Sequence, residues 1–374
     1  MDLPRLKIGN AKDSLMPVYI RDRCIHILLL GKSGAGKSTS ISNWWQQDHY
    51  YGNAKVLVDP SGFLANDCYS ISRGLYCSLE HPVALNPMKA PYTDSQISGL
   101  IAEAINQVIS LTTPNQPFTV KMRDIIDVSV KWCLKNDRKS LLHVLDHVKN
   151  LPGDRETRDG IIARLAFLLN DEKMVKVLCG NNSVEWGDLI AKRQTFILDC
   201  FGMSKEKMVF AGSIVTNGIK NYFRYARPKK YLPLSLYLDE CHNFINPGLF
   251  DILKEGRKYK LSVCLSTQDF AVIDDRMTRV MLNVGNIVSY RLGSREASFV
   301  ARELDISPQD LQFLEMYHVA YMTPKERGIA KTPYPPFFNQ IKLPEKAMPE
   351  QKSTKPVWFI LEPYPENETN KNIA

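Results

Sequence analysis

The chain has 374 residues, 44% of them hydrophobic, which excludes a disordered protein and accommodates two domains or one large α/β domain with an insertion. The formal net charge of +8 suits a polyanionic partner. No apolar run reaches the roughly 20 residues that span a bilayer, and no apolar signal core follows Met1, so we expect a cytoplasmic protein without a transmembrane segment. The eight cysteines include no Cys-x-x-Cys pair, which indicates a reducing compartment and no zinc site.

Residues 1–23 are mixed in charge and are predicted to form a short extension. The apolar run Ile25–Leu30 then ends in Gly31–Ser38, "GKSGAGKS", which fits the P-loop pattern of nucleotide-binding proteins. In a strand–loop–helix context the backbone N–H groups of such a loop point at phosphates, and the helix that begins near Lys37 adds its positive dipole end. We expect Lys37 to contact the β- and γ-phosphates of ATP and Ser38 to bind Mg²⁺. The predicted nucleotide-binding residues are Gly31, Lys32, Ser33, Gly34, Ala35, Gly36, Lys37, Ser38 and Thr39.

Strand and helix patterns divide the rest of the chain. Residues 24–93 begin a mainly parallel sheet, which includes a strand at Lys55–Asp59. Residues 94–190 have helical periodicity almost throughout and are predicted to be an all-helical insertion. The sheet resumes over residues 191–323, where Val319–Met322 is a candidate edge strand. Residues 324–374 are rich in proline and are predicted to be an extended C-terminal arm.

An acidic pair follows the apolar strand in "LSLYLDE". We expect Asp239 to hold Mg²⁺ through water, and Glu240 to orient and deprotonate the water that attacks the γ-phosphate. The alternative is that the two carboxylates only cap the following helix. Gln268 ends the next strand, so its amide is expected at the same edge of the sheet, where it would sense the γ-phosphate. An ordinary turn amide is the alternative for Gln268.

Two arginines are candidates for stabilising the transition state. Arg257, in "EGRKYK", is placed where it would reach the nucleotide of a neighbouring subunit, and Arg291, at the end of "NIVSYR", would act within its own subunit. Each of these two roles is equally open to either arginine. For both residues the alternative is an ordinary ion pair.

With these residues in view, the chain resembles the HerA/FtsK superfamily of ring-forming ATPases, which includes DNA pumps of conjugation, chromosome segregation and viral genome packaging. The resemblance spans most of residues 24–322. Five stretches carry it: "GKSGAGKS", "VLVDPSG", "ALNPM", "LYLDECHNFINPGLFDILKEGRKYKLSVCLSTQ" and "NVGNIVSYRLGSREA". It implies a RecA-like fold, a hexamer that threads double-stranded DNA through its pore, and the nucleotide, metal and sensor roles given above.

The sequence also departs from that superfamily. HerA proper begins with a small β-barrel, for which there is no room ahead of Cys24, and the membrane helices of coupling proteins and the winged helix of the FtsK type are missing. We therefore expect a partner chain to supply these modules, or a compact packaging or transfer motor. The expected partner protein is a nuclease, a relaxosome or secretion component, or a capsid vertex protein.

A DNA-threading pore requires loops whose cations follow phosphates without reading bases. The candidates for these contacts are Lys205, Lys207, Arg276 and Arg279, and solvated charged loops are the alternative. The leading hypothesis is an ATP-driven translocase of double-stranded DNA, which would be cytoplasmic, or virion-associated in the case of a packaging motor. The alternatives are a secretion-type motor that moves protein substrates and an ATP-binding ring that organises a nuclease.

Overall fold

The computed structural model describes residues 3–12, 14–112, 117–226, 228, 230–268, 273 and 275–333. The strands of this part of the chain are β1 (Leu6–Ala11), β2 (Pro17–Ile20), β3 (Ile27–Leu30), β4 (Ala54–Asp59), β5 (Leu75–Cys77), β6 (Thr195–Asp199), β7 (Leu234–Leu238), β8 (Leu261–Thr267), β9 (Asn286–Ser289), β10 (His318–Met322) and β11 (Arg327–Lys331). The helices are α1 (Lys37–Tyr50), α2 (Phe63–Ile71), α3 (Asp94–Thr112), α4 (Val120–Lys135), α5 (Leu141–Asn150), α6 (Arg155–Leu168), α7 (Glu172–Cys179), α8 (Trp186–Ala191), α9 (Lys205–Asn221), α10 (Pro247–Glu255), α11 (Asp275–Leu282), α12 (Ser294–Leu304) and α13 (Pro308–Gln312).

The strands form one sheet in the order β2-β1-β11-β10-β9-β3-β8-β7-β4-β6-β5. The seven strands from β9 to β5 are parallel. Helices cover both faces of such a sheet, which explains why every residue of β3, β4, β7 and β8 is buried. Because the strands are parallel, the loops that follow β3, β8, β7 and β4 emerge at one edge of the sheet, here called the carboxyl edge. The mixed, mainly parallel α/β fold is as the sequence predicts.

The sheet extends further at its antiparallel end than the sequence analysis predicted. The predicted N-terminal extension contains β1 and β2, and β1 pairs with β11, whose residues lie at the start of the predicted arm. The predicted edge strand is β10, and it is not at an edge, because it pairs with β9 on one side and β11 on the other. The rest of the predicted arm, from residue 334, lies outside the described residues.

The span predicted to be all-helical contains α3 to α8. Its first helix, α3, packs along α9, which follows β6. The apolar side chains of α3, such as Ile101 and Ile105, belong to the same hydrophobic cluster as those of β7 and α9. The helical segment therefore shares its core with the sheet. No described helix has the length and apolar character needed to cross a membrane.

A fully buried ion pair connects the elements that carry the predicted site. Arg23, just before β3, donates to both carboxylate oxygens of Asp48 on α1, over 2.5 and 2.7 Å. It also donates to the hydroxyl of Ser235 on β7 over 2.9 Å, and Asp48 accepts hydrogen bonds from Tyr237 and Asn53. The guanidinium holds the pKa of the Asp48 carboxyl below its usual range against the opposing effect of burial. This network fixes β3, α1 and β7 relative to one another.

Candidate functional site

The loop Gly31–Ser38 joins β3 to α1 at the carboxyl edge. Gly34 and Gly36 have φ angles of 71° and 117°, a region that favours glycine. At Gly36 a side chain is also excluded by space, because a Cβ atom there would lie 3.0 Å from the ring of Tyr290, the residue after β9. The Tyr290 hydroxyl in turn bonds to Ser40 on α1 over 2.7 Å. The side chain of Tyr290 therefore packs against the loop and stabilises its turn.

The N-terminus of α1 lacks the side-chain cap that most of the described helices have. Its N-cap residue is Gly36, which has no side chain to bond the first N–H groups, and its first turn contains no acidic residue. By contrast, a Ser, Thr, Asp or Asn side chain caps α4, α5, α6, α7, α9, α10 and α13. The uncapped donors and the helix dipole favour an anion at this position. Ser38, in the first turn, is exposed there.

Lys37 lies at the centre of the site. Its ammonium donates to the carbonyl of Gly31 over 2.8 Å and lies 3.9 Å from Oε1 of Glu240. Burial lowers the pKa of Lys37, and the carboxylates of Glu240 and Asp239 oppose that shift. The Lys37 ammonium therefore lies beside the loop, close to the acidic pair. From there it can reach a phosphate that binds at the N-terminus of α1.

The acidic pair follows β7 at the same edge. Asp239 is 5% exposed, and its Oδ1 atom is buried without a hydrogen bond from any described residue. Burial raises the pKa of Asp239 to about 6, with further contributions from Asp59 and Glu240, and the nearby Ser266 hydroxyl and Lys37 ammonium oppose the shift. A buried carboxylate oxygen with no donor is costly unless it gains a partner. Mg²⁺ prefers carboxylate, hydroxyl and water oxygens, so Asp239 together with Ser38 fits the predicted magnesium site.

The alternative role of the pair as a helix cap receives no support from the geometry. The short helical turn Cys241–Phe244 follows directly, and its N-cap residue Glu240 makes no side-chain capping hydrogen bond. The residue that caps a helix at this edge is Asp59, at the end of β4. Its carboxylate accepts hydrogen bonds from Ser61 and from the N–H of Ala65 in the first turn of α2, each over 2.8 Å. The carboxylate of Asp59 is thus hydrogen-bonded within the fold, whereas the Oδ1 atom of Asp239 has no hydrogen bond from the described residues.

We expect Asp239→Asn to stabilise the protein when nucleotide and Mg²⁺ are absent. A pKa raised from 3.8 to about 6 means that the unfolded chain ionises first, so wild-type stability falls as pH rises through that interval and stays low above it. The neutral amide avoids this penalty, which amounts to roughly 3 kcal/mol at pH 8. Chemical denaturation at pH 8 measures the gain, and Mg²⁺-dependent nucleotide binding should weaken at least tenfold. A variant less stable than wild type at pH 8 would contradict this account of Asp239.

The other predicted site residues lie at different places on the sheet. Gln268 follows β8 and is exposed beside the loop, since the preceding residue Thr267 pairs with Leu30. Arg291 is exposed two residues after β9, and its carbonyl accepts a hydrogen bond from the N–H of Lys32 over 3.1 Å. Arg257 precedes β8, so the length of a seven-residue strand, roughly 20 Å, separates it from its own P-loop. There it pairs with Asp22 over 3.3 Å.

The four candidate DNA contacts differ in their surroundings. Lys205 is exposed at the start of α9, whereas the Lys207 ammonium pairs with Asp171 over 3.3 Å and its side chain is 12% exposed. Arg276 and Arg279 are both exposed on α11, and the Arg276 guanidinium lies 5.1 Å from the centre of the Phe250 ring. Lys207 is therefore already paired within the fold, and the other three cations face solvent.

The sequence analysis missed several residues at this edge. Asp199 ends β6 opposite Asp59, with its carboxylate bonded to the Tyr76 hydroxyl over 2.6 Å. His242 lies 3.5 Å from Glu240, and Tyr290 supports the loop. A signal existed for Asp199 and Asp59, because each ends a buried strand of the same parallel sheet. None existed for Tyr290, whose role depends on the pairing of β9 with β3.

The parallel sheet, the loop after β3 and the acidic pair after β7 define a RecA-like P-loop NTPase fold. No protein-family model and no curated protein matches the sequence. Solved structures do match. VirB4 of Thermoanaerobacter pseudethanolicus is 13% identical with a TM-score of 0.67, over 90% of this chain and 98% of that chain.

The plasmid coupling protein TrwB also matches in two complexes. With the non-hydrolysable ATP analogue ADPNP it is 15% identical, with a TM-score of 0.67 over 87% of this chain and 88% of that chain. With ADP and Mg²⁺ the identity is 15% and the TM-score 0.66, over the same shares of the two chains. At such identities the likeness establishes the fold. It agrees with the resemblance to the HerA/FtsK superfamily predicted from the motifs.

Proposed function

We propose that this protein is an ATP-driven, ring-forming translocase of double-stranded DNA. The observation that carries the proposal is the convergence of an uncapped helix N-terminus, Lys37 and the carboxylates of Asp239 and Glu240 at one edge of the sheet. These groups match the needs of phosphoryl transfer, namely phosphate binding, charge neutralisation and orientation of water. The fold shared with TrwB and VirB4 supports a motor in place of an isolated nucleotide-binding domain.

Each residue has a defined part in the proposed hydrolysis. The N–H groups of Gly34 to Ser38 and the ammonium of Lys37 bind the phosphates and hold the γ-phosphate at the edge of the sheet. Asp239 and Ser38 hold Mg²⁺, which neutralises phosphate charge when bound. Glu240 accepts the proton of the attacking water. The complexes of TrwB with ADPNP and with ADP and Mg²⁺ support this choice of nucleotide and metal.

The position of Arg257 supports a site shared between subunits. Arg257 is too far from its own loop to contact the γ-phosphate, whereas Arg291 lies beside that loop. In a head-to-tail ring, each interface joins two different faces of the subunit, so a residue far from its own site can lie beside the next one. We therefore assign Arg257 to the site of the neighbouring subunit, Arg291 to its own site, and Gln268 to sensing the γ-phosphate.

A mixing experiment distinguishes the two arginines. Arg257→Ala and Lys37→Ala are each expected to be inactive alone. Mixed one to one, they should regain activity, because about a quarter of the interfaces in a random ring combine an intact P-loop with an intact Arg257. The matched control is Arg291→Ala mixed with Lys37→Ala, where every intact loop lacks its own Arg291 and no activity should return. Recovery in the control and none with Arg257→Ala would reverse the assignment.

The substrate is tested by the stimulation of turnover. Duplex DNA without sequence preference should raise ATP turnover at least several-fold, and the effect should weaken as salt rises, because phosphate contacts release counterions. The exposed Lys205, Arg276 and Arg279 are the proposed contacts. Stimulation by an unfolded protein but by no nucleic acid would favour the secretion-type alternative. Turnover that responds only to a bound nuclease would favour the scaffold alternative.

A further inference from the structure

The backbone of Glu240 has an unusual conformation that its neighbours maintain. Its φ angle of 40° lies in the left-handed region, which costs a non-glycine residue about 1 kcal/mol or more. Asn243 stabilises it twice, because its backbone N–H and its side-chain Nδ2 each donate to the carbonyl of Glu240 over 3.1 Å. The carbonyl of Asn243 is itself a hydrogen-bond acceptor for Gln107 on α3, over 3.4 Å.

The contacts of Asn243 also determine which nitrogen of His242 carries the proton. The Asn243 Nδ2 atom lies 3.2 Å from Nε2 of His242. An amide nitrogen donates and does not accept, so Nε2 must be the acceptor. A neutral imidazole with an accepting Nε2 carries its proton on Nδ1. The ring of His242 therefore presents an N–H donor on its Nδ1 side.

That donor faces the carboxylate of Glu240 and the end of β8, the strand that Gln268 follows. Nδ1 lies 3.5 Å from Oε2 of Glu240 and 3.4 Å from the hydroxyl of Thr267, the last residue of β8. The other carboxylate oxygen, Oε1, lies 3.9 Å from the ammonium of Lys37. Glu240 thus lies between a lysine that is assigned to the phosphates and a histidine that is not.

We propose that His242 is a positioning residue for Glu240. When Lys37 engages the γ-phosphate, the Nδ1–H of His242 remains to orient the carboxylate toward water, and its contact with Thr267 connects Glu240 to the end of β8 beside Gln268. Asn243 keeps the ring in the required tautomer. The proposal rests on the ATP hydrolysis proposed above and adds a residue that acts through Glu240 without touching the substrate.

The test compares the steady-state kinetics of His242→Ala, His242→Asn and Thr267→Val in the full-length chain. His242→Ala should lower kcat roughly 10- to 100-fold, with KM and the affinity for MgATP within about threefold of wild type. Because an Asn amide can place a donor near Nδ1, His242→Asn should retain kcat within about threefold. Thr267→Val should lower kcat about two- to fivefold. Combined with His242→Ala it should cause no further loss, since both act through one contact.

The outcomes separate this inference from the function on which it rests. Equal turnover by wild type and Glu240→Gln would overturn the proposed hydrolysis and this inference with it. If Glu240→Gln is inactive while His242→Ala turns over as wild type does, or loses nucleotide affinity as much as kcat, only the inference is overturned. Should His242→Ala fail to fold, as judged by circular dichroism, wild-type kcat in Thr267→Val or a loss of more than tenfold in His242→Asn overturns it.

Discussion

Glu240→Gln is expected to lower ATP turnover by a factor of roughly 10² to 10⁴, the usual contribution of a general base. The amide keeps the size and much of the hydrogen bonding of the carboxylate, but it cannot accept a proton from water. MgATP affinity should stay within about threefold of wild type, because Lys37, Ser38 and the N-terminus of α1 are unchanged. Phosphate-release assays give kcat, and equilibrium binding of a fluorescent ATP analogue gives the affinity.

The chain offers a matched control for this substitution. Glu315→Gln changes a carboxylate that is 68% exposed and pairs with Lys12 and His318 at the sheet end around β1 and β10. It should leave kcat within a factor of about two. Wild-type turnover in Glu240→Gln would contradict the role of Glu240 as the base. A loss of kcat matched by an equal loss of affinity would indicate a role in binding alone.

Arg23→Met is expected to destabilise the protein by roughly 3–5 kcal/mol. The substitution keeps a long apolar stem but leaves the carboxylate of Asp48, which is fully buried, without its cation. The Ser235 hydroxyl also loses the guanidinium as a partner. Urea or guanidinium denaturation at pH 7, read by far-ultraviolet circular dichroism, measures the change in the free energy of unfolding.

A second Arg–Asp pair gives the control for Arg23→Met. Arg155 is 86% exposed and lies 3.4 Å from Asp159 one turn along α6. Arg155→Met should cost less than about 1 kcal/mol, because water and salt screen an exposed pair. Equal losses in the two variants would contradict the view that burial makes the Arg23–Asp48 network structurally important.

The position of the candidate nucleotide site was predictable because its parts depend on local patterns. A P-loop is a continuous stretch, and an acidic pair directly after an apolar strand reaches the carboxyl edge whenever that strand is parallel to the one before the loop. Lys37, Asp239 and Glu240 therefore lie close together at that edge, and their catalytic and metal-binding roles stay predictions. His242 lies within one of the stretches that carry the resemblance. Its contact with Glu240, however, depends on the left-handed backbone at Glu240, which the spacing of residues in the sequence does not reveal.

Most of the features that the sequence analysis did not predict depend on contacts between residues that lie far apart in the chain. Asn10 in β1 pairs with Lys331 in β11, across almost the whole chain, so neither segment shows its partner locally. The sequence analysis treated Lys207 as a cation available for DNA. In the fold it pairs with Asp171, the residue before α7. Arg257 follows the acidic strand in the sequence, but the direction of β8 determines the edge of the sheet at which it lies. That edge is opposite its own P-loop.

We propose that each P-loop forms half of a nucleotide site, that a neighbouring subunit completes this site, and that the subunits assemble around duplex DNA. A cryo-electron microscopy reconstruction of the protein with a non-hydrolysable ATP analogue, Mg²⁺ and duplex DNA tests it most directly. We expect a closed ring with the γ-phosphate at Lys37, Mg²⁺ between Ser38 and Asp239, Arg257 of the adjacent subunit at the nucleotide, and duplex in the pore. Monomers with nucleotide bound and no DNA, or a ring with Arg257 remote from every nucleotide, would contradict the claim.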